Sequence, residues 1–276
     1  MGTRMTAADK VVVITGGSSG IGKQLAQDLC GMGAHVVISS HDQERLQTTV
    51  RELTSQNCDV SSVVCDVTRQ DQVDELASAV VTEYGRVDIL INNAGYAVYE
   101  TYEESTIDEL VRLVEVNLLG VIRCTKAFLP FMIERRHGRI VNMASIAGRL
   151  VITPNATYGA AKHGMVALTR ALSYELGPFG IKTNVVCPGR VETAFFDHPS
   201  FQRRAARPET RLTVSLERVS RATIRAIEQD RFLTYVPRSL GIIVWLVNAV
   251  PFVSWPLYGR LQTRRIESLY ATDRPD

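Results

Sequence analysis

Tyr158 and Lys162 stand four residues apart in the run N-A-T-Y-G-A-A-K-H-G-M-V-A-L-T-R at residues 155–170. In a helix that spacing sets both side chains on one face. A tyrosine hydroxyl has an ordinary pKa of about 10. It therefore handles protons at neutral pH only with help, and a fixed ammonium beside it favours the phenolate. Each unit of lowering needs about 1.4 kcal/mol of preferential stabilisation of the anion. Such a pair also arises by chance on surface helices; a role in proton transfer requires other polar groups to converge on it.

A helix carrying that pair needs a scaffold. From Lys10 onwards, short β-branched runs alternate with helical patterns, which predicts a parallel sheet covered on both faces. Strands are expected at 11–15, 35–39, 60–65, 87–92, 138–144, 182–187 and 232–236, and helices at 20–32, 43–55, 70–84, 107–136, 158–176 and 216–229. Gly33, Gly85, Gly138 and Gly180 precede strands, where a helix is expected to stop on a left-handed residue. The alternation implies an α/β fold, one doubly wound sheet of about seven strands. The expected organisation is an N-terminal stretch 1–9, one domain over 10–237 and an apolar extension 238–276.

In such a sheet, ligands bind at the carboxyl ends of the strands. The first strand runs into T-G-G-S-S-G-I-G, where Gly16, Gly20 and Gly22 permit a tight turn, close approach to a diphosphate and close helix–strand packing. Their spacing is G-x-x-x-G-x-G, not the G-x-G-x-x-G fingerprint. The second strand ends at Ser39-Ser40-His41, where a carboxylate would grip the ribose 2′-hydroxyl of NAD. Ser40 and His41 can instead donate hydrogen bonds to a 2′-phosphate, so NADP(H) is the expected preference and NAD(H) remains open. His41 also suits an ordinary exposed loop.

Asp66 ends the third strand, where it could accept a hydrogen bond from an adenine amine or serve the N-cap region of the next helix. Asn93, Ala94 and Gly95 belong to N-N-A-G at the end of the fourth strand, which also suits a turn. Asn117 interrupts an apolar helix face just before Gly120; helix interiors disfavour both, so a functional reason is expected. Ser145 follows the fifth strand, and Pro188-Gly189 ends the sixth.

Composition limits the classes of partner. Thirty-one basic residues against 29 acidic ones leave a net charge of +2, so no global field argues for nucleic acid. The 45% hydrophobic content is ample for a large core. Cys30, Cys58, Cys65, Cys124 and Cys187 are odd in number and scattered, which fits reduced thiols in a cytoplasmic protein and no metal site. Residues 1–10 are polar and lack a secretory apolar region. The start M-G-T-R-M-T matches the loose myristoylation pattern, but Met5 equally suits an initiating residue, and acylation is not expected.

Taken in order, T-G-G-S-S-G-I-G, Asp66, N-N-A-G, Asn117, Ser145, Tyr158-x-x-x-Lys162, P-G and Thr193 closely resemble the short-chain dehydrogenase/reductase family over about 10–236. The resemblance implies a Rossmann-type sheet, a nicotinamide cofactor and interconversion of an alcohol and a carbonyl. By the same resemblance Tyr158 is the acid/base, Lys162 lowers its pKa and holds the nicotinamide ribose, and Ser145 bonds the substrate oxygen. Asn117 anchors a relay water. Gly16, Ser18, Ser19, Gly20, Ile21 and Gly22 line the diphosphate, Asp66 and Val67 the adenine, and Asn93, Ala94 and Gly95 the ribose. Pro188, Gly189, Val191 and Thr193 line the nicotinamide. The family also implies a homo-oligomer, dimer or tetramer, through the helices of Asn117 and Tyr158.

Two stretches depart from the family pattern. Residues 195–211 carry Phe195, Phe196 and Phe201 with Arg203, Arg204, Arg207 and Arg211; the resemblance makes 10–237 the catalytic domain and puts a substrate lid at about 193–214, so the stretch suits a gate over an apolar pocket, Phe195 facing substrate, or a solvated basic turn. Residues 239–259 contain no charged residue and approach the roughly 20 needed to span a bilayer. Asn248, Pro251 and Pro256 disfavour a straight span, whereas Trp245, Trp255 and Tyr258 flanked by Arg238, Arg260, Arg264 and Arg265 suit a membrane surface. A cover over the pocket or a dimer seam is the alternative. The tail resembles those of lipid-ketone reductases of the 3-ketodihydrosphingosine reductase type. The expected function is thus NADPH-dependent reduction of an apolar, lipid-like ketone by a cytoplasmic or membrane-peripheral enzyme. The alternatives are a soluble NAD-dependent hydroxysteroid or small-alcohol dehydrogenase and a non-catalytic cofactor-sensing protein.

Overall fold

The structure is a computed structural model and describes residues 7–191, 199–202 and 213–272. Its strands are β1 (Val11–Thr15), β2 (His35–Ser40), β3 (Val60–Val64), β4 (Ile89–Asn92), β5 (Gly138–Met143), β6 (Ile181–Pro188) and β7 (Leu233–Val236). They form one parallel sheet in the order β3-β2-β1-β4-β5-β6-β7. Sequence order reverses between β1 and β4, which opens the crevice that such sheets use for ligands.

The helices are α1 (Gly20–Cys30), α2 (Gln43–Ser55), α3 (Gln70–Tyr84), α4 (Ile107–Val114), α5 (Gly120–Glu134), α6 (Ala156–Glu175), α7 (Pro199–Gln202), α8 (Leu216–Glu228), α9 (Ser239–Ala249) and α10 (Pro251–Thr272). Alternate residues of β1 serve opposite faces, as the strand pleat dictates. Val12 and Ile14 pack with Leu25, Leu46 and Ile224 of α1, α2 and α8, while Val11 and Val13 pack with Leu76 and Phe128 of α3 and α5. Burial on both faces explains why β1 reads as an unbroken apolar run.

Two expectations change in detail. Gly33, Gly85 and Gly180 take positive φ, but Gly138 does not: Arg136 takes the left-handed turn at φ 47°, and Gly138 lies inside β5. A Cβ there would stand 2.5 Å from the Met132 sulfur and 2.9 Å from its Cβ, so the whole Met132 side chain would have to shift. The helix expected over 107–136 is broken by a π turn at Glu115–Leu119, in which the Gly120 N–H donates to the Glu115 carbonyl.

A buried polar ladder crosses the centre of the sheet. Asn92 Nδ2 donates to Asn142 Oδ1 at 2.8 Å and to Thr125 Oγ1 at 3.2 Å, and Asn142 Nδ2 donates to Thr169 Oγ1 at 2.8 Å. It ties β4 and β5 to α5 and α6, so the edge of the site and the Tyr158 helix share one set of bonds. At the C-terminus, α9 and α10 meet at a 115° bend.

Candidate active site

At the β1–β4 crevice, Gly16 turns the chain at φ +64°, and a Cβ on Gly22 would stand 2.3 Å from the Gly16 carbonyl oxygen. Only glycine lets the first turn of α1 approach the strand this closely. Thr15, to which sequence reasoning gave no role, accepts the Asn93 and Ala94 backbone N–H groups at 3.0 and 3.1 Å. Asn93 Nδ2 donates to the Thr15 and Gly16 carbonyls at 3.1 Å each, so the N-N-A-G segment and the glycine turn are held as one unit. Helix α1 has no acidic residue in its first turn, and the side chain of its N-cap, Ser19, makes no capping hydrogen bond. Its N-terminus thus presents hydroxyl and N–H donors of the kind that hold a diphosphate. Ile21, beside them, packs its side chain on the core.

The ribose end is built from donors. Ser40 Oγ accepts from the Ser18 hydroxyl at 2.9 Å and from the Asp42 N–H at 3.2 Å. A hydroxyl has two acceptor sites and one proton, so Ser40 retains a proton to donate. The next acidic residue, Asp42, caps α2 by accepting the Arg45 N–H at 3.0 Å. Asp66 does not cap α3, whose N-cap is Arg69; its Oδ1 instead accepts the Thr68 N–H at 2.9 Å and hydroxyl at 2.8 Å. Burial raises the Asp66 pKa, but the Thr68 bonds and the nearby His41 and Arg112 outweigh it and hold the carboxyl below its ordinary value. Val67 is buried and fills the space beside Gly120. These donors, the glycine cradle and the absence of an acid in the first turn of α1 fit a nicotinamide dinucleotide.

Tyr158 and Lys162 are both buried on α6. Lys162 Nζ donates to the Met143 carbonyl at 3.0 Å and stands 5.6 Å from the centre of the Tyr158 ring. The expected lowering of the Tyr158 pKa is not found. Burial pushes the phenol up to about 12 against the pull of its hydrogen bond with Ser145. Burial likewise brings Lys162 down to about 8. The Met143 carbonyl holds the ammonium, and the phenol stays protonated at neutral pH.

Asn117 sits within the π turn, its Nδ2 donating to the Tyr96 and Leu113 carbonyls at 2.8 and 3.0 Å. Its Oδ1 is buried and unpartnered. A Cβ on Gly95 would stand 2.6 Å from that oxygen and 3.4 Å from Lys162 Nζ, so Gly95 leaves Asn117 and Lys162 facing one small space. Ser145 Oγ accepts the Ala147 N–H at 3.1 Å. Tyr158 packs with Ala97, Val98, Leu113 and Ala147, against which Ile152 and Phe201 also lie. Phe201 therefore reaches the site from the lid stretch, while Thr193 and Phe195 lie outside the described residues. Pro188 ends β6, the Gly189 N–H donates to the Val236 carbonyl at 2.8 Å, and Val191 bridges Val214 at the base of that stretch.

A family model described as short chain dehydrogenase matches residues 10–203. A protein of Streptomyces violaceoruber, named as a ketoacyl reductase of the granaticin polyketide synthase, is 41% identical over 190 residues, 68% of this chain and 70% of its own. Among solved structures, a variant of actinorhodin polyketide ketoreductase with NADPH has a TM-score of 0.78 at 33% identity, covering 84% of this chain and 97% of that one. A short-chain dehydrogenase/reductase of Burkholderia phymatum in complex with NAD has a TM-score of 0.82 at 29% identity, covering 90% and 96%.

Proposed function

The chain belongs to the short-chain dehydrogenase/reductase family, and from that premise we propose that it is a NADPH-dependent reductase of an apolar, lipid-like ketone. At the level of the family it is an oxidoreductase that interconverts alcohols and carbonyls with a nicotinamide cofactor. The observation that supports the finer reading is a protonated phenol in an apolar wall: Tyr158 is pushed up to about 12 among Val98, Leu113 and Ala147.

The cofactor supplies a hydride to the carbonyl carbon when bound. Tyr158 gives its hydroxyl proton to the carbonyl oxygen, so that ketone, hydride and proton make one alcohol. Ser145, bonded to the same phenol, orients that oxygen as negative charge develops on it. Lys162 provides a cation behind the tyrosine. Asn117 Oδ1, facing Lys162 across the space beside Gly95, can accept a hydrogen bond along the path that restores the proton. The spare proton of Ser40 favours a 2′-phosphate over a 2′-hydroxyl that needs an acceptor.

The test is a substrate panel monitored by nicotinamide absorbance, with long-chain, cyclic and small polar ketones and both cofactors. Faster NADPH oxidation with the apolar ketones is expected. Preference for NADH or for small polar ketones overturns the cofactor or the substrate assignment, and inactivity throughout with tight cofactor binding favours a sensor. The pH dependence is a second prediction. For the dinucleotide, kcat/KM reports groups titrating in the free enzyme; it should be level near neutrality and fall as pH passes about 8, where Lys162 loses its charge. A profile level to pH 9.5, on the order of 1.5 units above that value, contradicts a role for the ammonium. Assembly through α4–α5, where Val111 and Ile122 are exposed, and through α6, which carries Tyr158, predicts a dimer or tetramer by light scattering.

A further inference from the structure

We propose that the C-terminal helix pair seats the protein on an anionic lipid surface, and that α10 carries this docking to the mouth of the catalytic cleft. The apolar side chains of the pair face outward. Phe252 is 92% exposed, Trp245 66% and Trp255 62%, with Ile242, Leu246, Val253 and Leu257 exposed around them. Among the described side chains of the pair, only Leu240, Val244 and Leu269 are buried. Between Asp230 and Glu267 the chain has no acidic residue and five arginines, Arg231, Arg238, Arg260, Arg264 and Arg265.

Charge decides between the occupants of this face. A second copy would bring arginines against arginines with a single carboxylate on the pair, Glu267, to receive them, because a twofold contact pairs a patch with itself. An anionic leaflet accepts both the apolar surface and the exposed flanking cations Arg238, Arg260 and Arg264, with tryptophans at the boundary. Geometry decides how the pair lies. Helix α9 has 11 residues, about 16 Å of helix against a hydrocarbon core of about 30 Å, and the 115° bend prevents one straight span. The pair lies in the interface.

The second half of α10 is bound to the body of the protein. Gln262 Oε1 accepts the Thr153 N–H and hydroxyl, each at 3.0 Å. Arg265 Nη2 donates to the Tyr99 hydroxyl at 3.2 Å, and the Tyr270 hydroxyl donates to Thr101 Oγ1 at 3.2 Å. Those partners flank the two walls of the pocket over Tyr158, lined by Val98, Glu100 and Tyr102 on one side and Asn155 and Thr157 on the other. The pocket measures about 10 Å³, space for about one water. A ketone that reaches Tyr158 through this pocket needs those walls to part, and the helix that straps them together is continuous with the helix that meets lipid. The entry step rests on the reductase reading above; the docking step does not.

The test uses the full chain and its own fluorescence, because Trp245 and Trp255 are its only tryptophans. Vesicles of phosphatidylcholine with phosphatidylglycerol should blue-shift the emission and sediment the protein, and pure phosphatidylcholine should do so at least tenfold more weakly. The variant F252D/L257D, altered only at exposed positions, should stay in the supernatant and lose reduction of a long-chain ketone presented in vesicles, but keep reduction of a water-soluble ketone. No shift with either vesicle overturns the docking, and equal binding to both overturns its anionic selectivity. A blue shift that grows with protein concentration without vesicles overturns it in favour of a second copy. Vesicle binding by a chain that reduces no ketone leaves the docking standing and sinks the reductase reading. If F252D/L257D leaves the vesicle and then reduces the long-chain ketone at the wild-type rate, the coupling through α10 is wrong.

Discussion

Replacing Tyr158 by phenylalanine is expected to lower kcat for ketone reduction by about 10³-fold, within the range that a positioned acid contributes, while dinucleotide affinity stays within about threefold. The size of the loss reflects position. Tyr158 is buried with Ser145 as its hydrogen-bond partner, and the neighbouring Lys162 ammonium is held by the Met143 carbonyl, so the phenol is the group placed to give a proton to a bound carbonyl oxygen. Phenylalanine keeps the ring and its packing, so the melting temperature should move little. Single-turnover kinetics with bound NADPH separates chemistry from binding. A variant retaining more than about a tenth of the wild-type rate would remove Tyr158 from the role of proton donor.

The largest structural effect is expected from Gly22→Ala. The added carbon meets the Gly16 carbonyl at 2.3 Å and Asn93 Nδ2 at 2.6 Å. Neither can yield alone, since Asn93 holds the Thr15 and Gly16 carbonyls and Thr15 in turn holds the Asn93 and Ala94 N–H groups. The turn and N-N-A-G must move together. Overpacking of this kind costs about 1–3 kcal/mol, several degrees of melting temperature at this chain length. Dinucleotide affinity should fall about tenfold or more if, as proposed, the displaced backbone is the part that approaches the diphosphate. Gly177 is the control: nothing lies within 4 Å of its Cβ position, so Gly177→Ala should leave both quantities unchanged. Wild-type melting and affinity in Gly22→Ala would refute the close approach.

What could be read from the sequence was local. Strand β1 announces itself because burial on both faces demands five consecutive apolar or β-branched residues, and the pair on α6 because a helical repeat places both on one face. What could not be read depends on partners far apart in the chain. The ladder of Asn92, Asn142 and Thr169 joins residues separated by 50 and 27 positions, and nothing near Asn142 marks it as a partner. The Arg265–Tyr99 and Gln262–Thr153 bonds span 166 and 109 positions, so the tail could be recognised as apolar and basic but not as a strap. The Tyr158–Lys162 electrostatics were misjudged for a related reason. Spacing shows that two groups are neighbours, whereas pKa depends on how deeply both are buried and on the Met143 carbonyl that holds the ammonium.

The π turn at Glu115–Leu119 constrains how this chain can change length. A π turn holds one residue more than the α-helical hydrogen-bond pattern requires, so deleting a single residue there would restore regular bonding from α4 into α5. The turn already absorbs that residue, so α4 and α5 would keep their faces and only the residues of the turn itself would change direction. Asn117, whose Nδ2 is bonded to the Tyr96 and Leu113 carbonyls, would then leave the place from which its Oδ1 faces Lys162, while Phe128 and Met132 kept theirs in the core. A shortened helix would be the more regular helix, and selection for stability alone would remove the turn that holds Asn117 towards Lys162.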